Sequence, residues 1–511
     1  MSGVVHSTLL LTAANLAIRT VSMLFGIYLS DRLGAAGLGL IQLISSVSLL
    51  ALTVGSSGIR IAAMYLCAEE HGRRRSGGVR SAADHCLAVT LLLSCLAGFF
   101  LILCSDHLAG RWLAEPHAAS SLRLIGLFLP VLCMNSVMTG YFTACGKIRS
   151  MVAIEVGERI LCILITVLLL RRASTAEAAC LAFFCGSSLS CAASFLTMYA
   201  IYRRDCRFFA PAPKQIQMGR RLLRLCLPLA ANEYLRSGLS TLENLLIPQG
   251  LRRYGASGEH AMATYGVIHG MVFPVLMFAA AILYSLSDVM VPELSRCLAT
   301  DNRKRIHRLT DRCLRWGFVF SAGTAGLLFS LAEPLGQLLY HSEEAGLYLA
   351  MLSPMVLILY PDAIVDGMHK GLGQQLYCVR YNTLTSFLDV LFLFLLLPRY
   401  GIGGFLFSFT VTHLLNFWLS LRRLVRVTEY RLQLLFVPKV LLPAVFAAIP
   451  VRFLLRSGAA APWPTILLGC CYLLLYAALL PLFSVLSKED RRWLNTLFFR
   501  KKIARSRSKP C

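Results

Sequence analysis

Gly140-Tyr-Phe-Thr-Ala-Cys-Gly146 returns in the second half of the chain as Gly367-Met-His-Lys-Gly-Leu-Gly373, and Gly37-Leu-Gly-Leu-Ile41 returns at the same offset as Thr264-Tyr-Gly-Val-Ile268. Two landmarks at one offset indicate a duplicated chain. A membrane protein built as two similar halves commonly holds its cargo between them and rocks one half against the other. The repeat therefore points to transport.

The composition places this duplication in a bilayer. Of 511 residues 57% are hydrophobic, the mean hydropathy is +0.66, and no single soluble core could hide so much apolar surface. Windows of about 20 apolar residues, enough to cross ~30 Å of hydrocarbon as helix, recur from end to end. They fall at 7–30, 37–65, 84–107, 118–143, 150–170, 176–202, 222–248, 260–292, 313–332, 345–369, 378–398, 402–421, 436–455 and 463–487. The expected fold is an all-α polytopic membrane protein of about 14 transmembrane helices, with two six-helix pseudo-symmetric halves and two further C-terminal helices. The halves are 1–205 and 225–430, joined by a basic linker at 206–224; the two extra spans occupy 431–487 and a basic tail 488–511. Six spans per half put both halves in the same orientation, related by an axis along the membrane normal.

A net charge of +24 would suit nucleic acid, but its distribution argues for topology. The connections after spans 2, 4, 6, 8, 10 and 12, with the tail, carry 35 of the 50 Lys and Arg, and the opposite side carries ten. The positive-inside rule then places both termini in the cytoplasm of a bacterial plasma membrane, with anionic lipids as the partners of the basic loops. No nucleic-acid partner is needed, and nothing in the chain requires more than a monomer. The first span carries Arg19 and is too long for a cleaved signal. Most of the eighteen cysteines lie in apolar spans without metal-ligand spacing, so neither a metal site nor a disulfide is expected. The tail mixes Trp493, Leu494, Leu497, Phe498 and Phe499 with nine basic residues, which suits a short interfacial helix. No Walker A sequence, GxSxG elbow, HExxH motif or soluble carboxylate pair occurs, and the loops are short, so catalytic residues and cofactors are not expected.

Ionisable side chains inside spans cost about 2.5–3.5 kcal/mol each on insertion scales, so each is a candidate for function. Arg19 in span 1 and Arg60 in span 2, after Gly55-Ser56-Ser57-Gly58, are candidate substrate ligands, because a planar guanidinium binds phosphate oxygens in pairs. Each could instead pair with a carboxylate of another helix. Span 7 carries Glu233, Arg236 and Glu243, with Asn232 and Asn244 nearby. Arg236 is the third candidate ligand. Glu233, Glu243, Asp362 and Asp389 are candidates for coupling to a Na+ or H+ gradient, although Glu233 and Arg236 could also neutralise each other. Glu155 with Arg159 and Asp366 with Lys370 have the i,i+4 spacing of internal ion pairs, and His269 and His413 read as packed histidines. The offset that carries Gly140 onto Gly367 carries Arg60 onto Ser287, beside Asp288, so Arg60 and Asp288 form a candidate gate pair.

The run Ser7–Ile27, the stretch from Leu33 through Gly34, Gly37 and Gly39 to Leu43, and Gly55–Ile59 resemble the stage V sporulation protein B and polysaccharide-flippase branch of the multidrug/oligosaccharidyl-lipid/polysaccharide (MOP) exporter superfamily. The resemblance covers essentially the whole chain. It implies a MATE/MOP-like fold and a flippase that moves an undecaprenyl-pyrophosphate-linked saccharide, such as a peptidoglycan precursor, to the outer leaflet. In the related lipid II flippases, arginines on helices 1, 2 and 8 bind the pyrophosphate and the two extra helices form a groove for the lipid tail. Arg19 and Arg60 match the first two positions. Span 8 departs from the pattern, since it holds His269 and Asp288 but no interior arginine, and Arg236 is the nearest substitute. A cation-coupled multidrug exporter of the same superfamily is the alternative, though such exporters usually have twelve spans. A non-transport scaffold for envelope or spore assembly is a third reading, in which the intramembrane charges would be dispensable.

Overall fold

A computed structural model describes residues 2–56, 58–73, 75–173, 175–208, 216–429, 436–455, 462–483 and 485. All regular structure among them is helical. Ten helices are long and apolar enough to cross a membrane, or eleven if the pair Arg303–Ser330 and Ala332–Tyr340, bent by 70°, counts as one span. Fourteen apolar windows therefore become fewer uniformly apolar helices, for two physical reasons. Spans 1 and 2 run into a single helical element, Ser2–Ser56, interrupted only at Gly34. Spans 5 and 7, in helices Ile148–Leu170 and Ile216–Tyr254, carry the charges Glu155, Glu158 and Arg159 and the charges Glu233, Arg236 and Glu243. The amphipathic tail and residues 209–215 of the linker lie outside the described residues.

Gly34 takes φ 68° and ψ −177°, and Gly58 takes φ 70°, conformations that side chains with a Cβ rarely adopt. These two glycines let the chain redirect at either end of the segment that carries Gly39. Contacts gather the described residues into two compact units, one from 1–281 and 382–412, the other from 282–381 and 413–511.

Within the first unit the two copies of the first landmark touch each other. A Cβ on Gly39 would run into the Met262 carbonyl and lie 3.1 Å from the Gly266 nitrogen, while one on Gly266 would run into the Ala35 carbonyl and lie 2.7 Å from the Gly39 nitrogen. Equivalent residues in mutual contact are what a local two-fold axis between the helices requires. Small residues matter here because lipid tails are as apolar as leucine, so membrane helices associate through close backbone packing rather than through escape from water.

The second landmark makes the same contact once in each unit. Gly140 packs on the Arg60 carbonyl, where a Cβ would lie 2.6 Å away, and Gly367 packs on the Ser287 side chain, so both partners of the contact are related by the offset of the repeat. Gly146 (φ 70°) and Gly373 (φ 69°) make equivalent left-handed turns after these helices. The duplication is thus a duplication of packing as well as of sequence.

In the second unit, helices Phe436–Leu455 and Pro462–Leu482 dock on Arg303–Ser330. Gly323 admits the Tyr476 ring and Gly326 the Tyr472 hydroxyl, and the Tyr476 hydroxyl donates to the Val319 carbonyl at 2.8 Å. Arg315 stacks over Phe436 at 4.9 Å and donates to the Val485 carbonyl at 3.0 Å. The two spans outside the repeat are therefore an integral part of this unit's core.

Candidate functional site

In the first unit, two of the three expected substrate ligands sit on segments that pack side by side. Span 7 lies along the end of span 2: Thr53 donates to the Ser237 hydroxyl at 3.2 Å, Tyr234 to the Val54 carbonyl at 3.4 Å, and Thr241 to the Ser46 carbonyl at 3.3 Å. Arg60 on one helix and Arg236 on the other are exposed, as is Arg19 on the first span. Neither Arg60 nor Arg236 forms an ion pair among the described residues. An exposed guanidinium on a membrane-crossing helix is stable only where water or a polar ligand reaches it.

The Glu233–Arg236 and Glu155–Arg159 pairs allowed by helical spacing are not formed among the described residues. Glu155 instead lies within electrostatic range of Glu158 and Arg60. Spacing along one helix does not decide these partners, because neighbouring helices present competing charges at similar distance.

Span 7 also carries Glu243, and the fold brings Asp389 into its electrostatic range, with the Ser386 hydroxyl bonded to the Glu243 carboxylate. Asp389 accepts from the Ser408 hydroxyl at 2.5 Å and from Thr412 at 3.3 Å. Beside Glu243, the Asn244 carbonyl oxygen accepts from the Tyr265 hydroxyl at 2.9 Å. Two carboxylates with three hydroxyls form an oxygen-rich cluster inside a helical bundle. Hard cations such as Na+ take oxygen ligands of this kind, and two nearby carboxylates can also share a proton. His269 stands apart from that chemistry, since its ring is packed between Tyr265 at 4.6 Å and Phe273 at 5.0 Å in the π-helical turn Val267–Val272.

In the second unit Asp362 accepts from the Asn416 amide at 3.1 Å. The other oxygens of both side chains, Asp362 Oδ1 and Asn416 Oδ1, are buried without a hydrogen-bond partner among the described residues, as is Ser420 Oγ one turn beyond Asn416. Buried orphan acceptors are expensive unless a proton, water or cation satisfies them. Asp366 pairs with the Cys378 thiol at 2.8 Å rather than with Lys370. His369 is fully buried, with Nδ1 3.0 Å from the Val365 carbonyl. Through the repeat offset, Asp362, Asp366, His369 and Cys378 correspond to Asn135, Thr139, Phe142 and Met151. The two halves thus repeat their packing and differ in charge at the same positions. Asp288 is exposed, and its neighbour Ser287 donates to the Ala363 carbonyl at 3.1 Å. No cluster of three or more His, Cys, Asp or Glu suited to a metal ion occurs among the described residues.

Residues 4–297 match the family described as "Polysaccharide biosynthesis protein". The chain belongs to that family. Residues 253–395 also match the MatE family. Stage V sporulation protein B of Bacillus subtilis (strain 168) is 20% identical over 407 residues, covering 78% of each chain, and sporulation protein YkvU of the same organism is 22% identical over 362 residues, covering 70% of this chain and 80% of its own. The solved structure of the lipid II flippase MurJ in an inward closed conformation superposes with a TM-score of 0.68 at 13% identity, covering 97% of this chain and 100% of that one. An inward-facing multidrug-resistance MATE transporter of the MOP superfamily gives 0.61 at 16% identity, over 82% of this chain and 99% of that one. The chain thus shares the multi-pass helical fold of these solved MOP-superfamily proteins.

Sequence reasoning missed Ser386, Ser408, Thr412, Asn416 and Ser420. A signal was present, because Ser408, Thr412, Asn416 and Ser420 recur every fourth residue and so share one face of helix Ile402–Thr428.

Proposed function

We propose that this transporter flips an anionic lipid-linked saccharide, of the undecaprenyl-pyrophosphate class used for cell-envelope polymers, from the inner to the outer leaflet by alternating access. The carrying observation is the set of exposed guanidiniums of Arg19, Arg60 and Arg236 on helices of the first unit. A pyrophosphate offers each of them charge-assisted, paired hydrogen bonds, and a neutral drug does not. The chain sits in a bacterial plasma membrane with both termini cytoplasmic, crossing it fourteen times when spans 1, 2, 5 and 7 are counted by position.

The glycine-lined dock for helices Phe436–Leu455 and Pro462–Leu482 supports a cargo with a lipid tail. The presence of these helices favours the lipid-linked reading. The MurJ structure covers 97% of the chain and the MATE structure 82%. The MatE match keeps cation-coupled multidrug export as a second reading, in which the arginines would matter little.

Coupling falls to the carboxylates. Glu243 with Asp389 gathers oxygen ligands from three helices and Asp362 with Asn416 from two, and either can bind Na+ or a proton in one conformation and release it in the other. Glu233 is a third coupling carboxylate on span 7. Asp288 is the candidate gate residue. The test is reconstitution with labelled polyprenyl-pyrophosphate saccharides, beside a cationic drug, with and without Na+ and pH gradients. Movement of the saccharide, lost when Arg60 is replaced by alanine, supports the proposal; movement of the drug alone removes it.

A further inference from the structure

The second unit contains an apolar cavity of about 320 Å³ between helices Arg303–Ser330 and Phe436–Leu455, and it lies outside every ionisable cluster described above. Its floor is made of the small residues Ala322, Ala325, Ala444 and Ala448, and its one charged lining residue is Arg452. On the same helix Val445 is 57% and Ile449 58% exposed, so the furrow opens on the outer flank of the helix. For a membrane-crossing helix that flank is the lipid.

Two dimensions identify what fits. From Leu441 to Arg452 the lining helix rises ~16 Å at 1.5 Å per residue, about half of a ~30 Å hydrocarbon core. The furrow therefore spans one leaflet from the headgroup level inwards. At ~30 Å³ for a group the size of a water, its volume holds roughly ten carbons, part of one acyl chain and far less than a long polyprenyl tail.

Arg452 supplies the charge. It lies three residues before the end of its helix at Leu455, with its guanidinium 4.4 Å from the centre of the Phe329 ring, and it forms no ion pair among the described residues. Stacking on Phe329 engages the face of the guanidinium and not its N–H donors. An exposed cation at headgroup depth above an acyl-sized furrow is complementary to a phosphate that carries such a chain.

We propose that this furrow holds one acyl chain of a resident anionic phospholipid whose phosphate is bound by Arg452. The lipid fills the joint between the appended helices and the repeat, where small side chains leave space. It is not the transported cargo.

The full chain, purified in detergent and delipidated, is offered phosphatidylglycerol and phosphatidylethanolamine of identical acyl chains, and retained lipid is read by native mass spectrometry. Wild type is expected to keep phosphatidylglycerol selectively. Arg452→Gln should lose about tenfold or more of that retention, as expected for a lost charge-assisted bond. Arg452→Lys should keep most of it, and Ala448→Trp should lose it by filling the furrow with Arg452 intact. Retention that ignores headgroup charge, or is unchanged in Arg452→Gln, overturns the proposal, and so does displacement by an equimolar polyprenyl phosphate. Because the readout is bound phospholipid and not flipping, its failure is separate from failure of the transport reading.

Discussion

Replacing Gly266 by alanine should loosen the helix crossing that the duplication builds. The new Cβ would lie 2.7 Å from the Gly39 nitrogen and 2.9 Å from the Ala35 carbonyl carbon, and closer still to the Ala35 oxygen. All three are backbone atoms, so no side chain can rotate away. Ordinary contact is ~3.5–4.0 Å, and the helices must separate by roughly 1 Å. Overpacking of this kind costs ~1–3 kcal/mol, from which the better helix propensity of alanine returns ~0.5–1 kcal/mol, leaving a mid-range destabilisation of about 1 kcal/mol. Gly157 is the internal control, since a Cβ there meets nothing within 4 Å. Gly157→Ala should be neutral or more stable by up to ~1 kcal/mol. The buried free thiols Cys67, Cys86 and Cys133 provide the assay, because a thiol-reactive dye labels them only as the protein unfolds on heating. Gly266→Ala should label at lower temperature than wild type and Gly157→Ala should not; equal melting of the two variants refutes the packing argument.

Glu243→Gln and Asp389→Asn should each remove the dependence of transport on its coupling gradient while leaving binding of the saccharide headgroup, as seen by gradient-jump experiments in proteoliposomes. Asp362→Asn should do the same if the orphan oxygens beside Asn416 form the coupling site, and comparison of the three variants shows which cluster couples. Charge reversal of Asp288 should impair transport in the same proteoliposomes; a rate equal to wild type argues against its role as a gate residue. Tyr476→Phe should cost ~1 kcal/mol through loss of its bond to the Val319 carbonyl, read in the same thiol-labelling melt.

The duplication was legible in the sequence because it is carried by glycines, and glycines mark where backbones approach. Gly39 and Gly266 meet, and Gly140 and Gly367 repeat one contact, as a fixed offset would have them do. The helix count was less legible. An apolar window shows that a segment can cross the bilayer, but it does not show that Gly34 joins two windows in one element or that charges interrupt spans 5 and 7.

The ionisable residues were legible one by one, and their partners were not. Asp389 has no useful neighbour along its own helix; its hydroxyl donors come from Ser408 and Thr412, a contact set by the register between two helices. For Glu155 the i,i+4 rule named Arg159, and the fold placed the carboxylate near Arg60 instead. Helical periodicity decides which face a side chain is on, and tertiary packing decides what that face meets.

The most direct test of the account is the flipping rate of a labelled polyprenyl-pyrophosphate saccharide in proteoliposomes containing wild type, Arg19→Ala, Arg60→Ala or Arg236→Ala. Each lost charge-assisted phosphate contact should cost ~1.5–3 kcal/mol, about 10- to 100-fold in transport, with Arg60→Lys recovering part of the loss. Alanine variants that move the saccharide as fast as wild type would contradict the claim that these arginines hold the pyrophosphate.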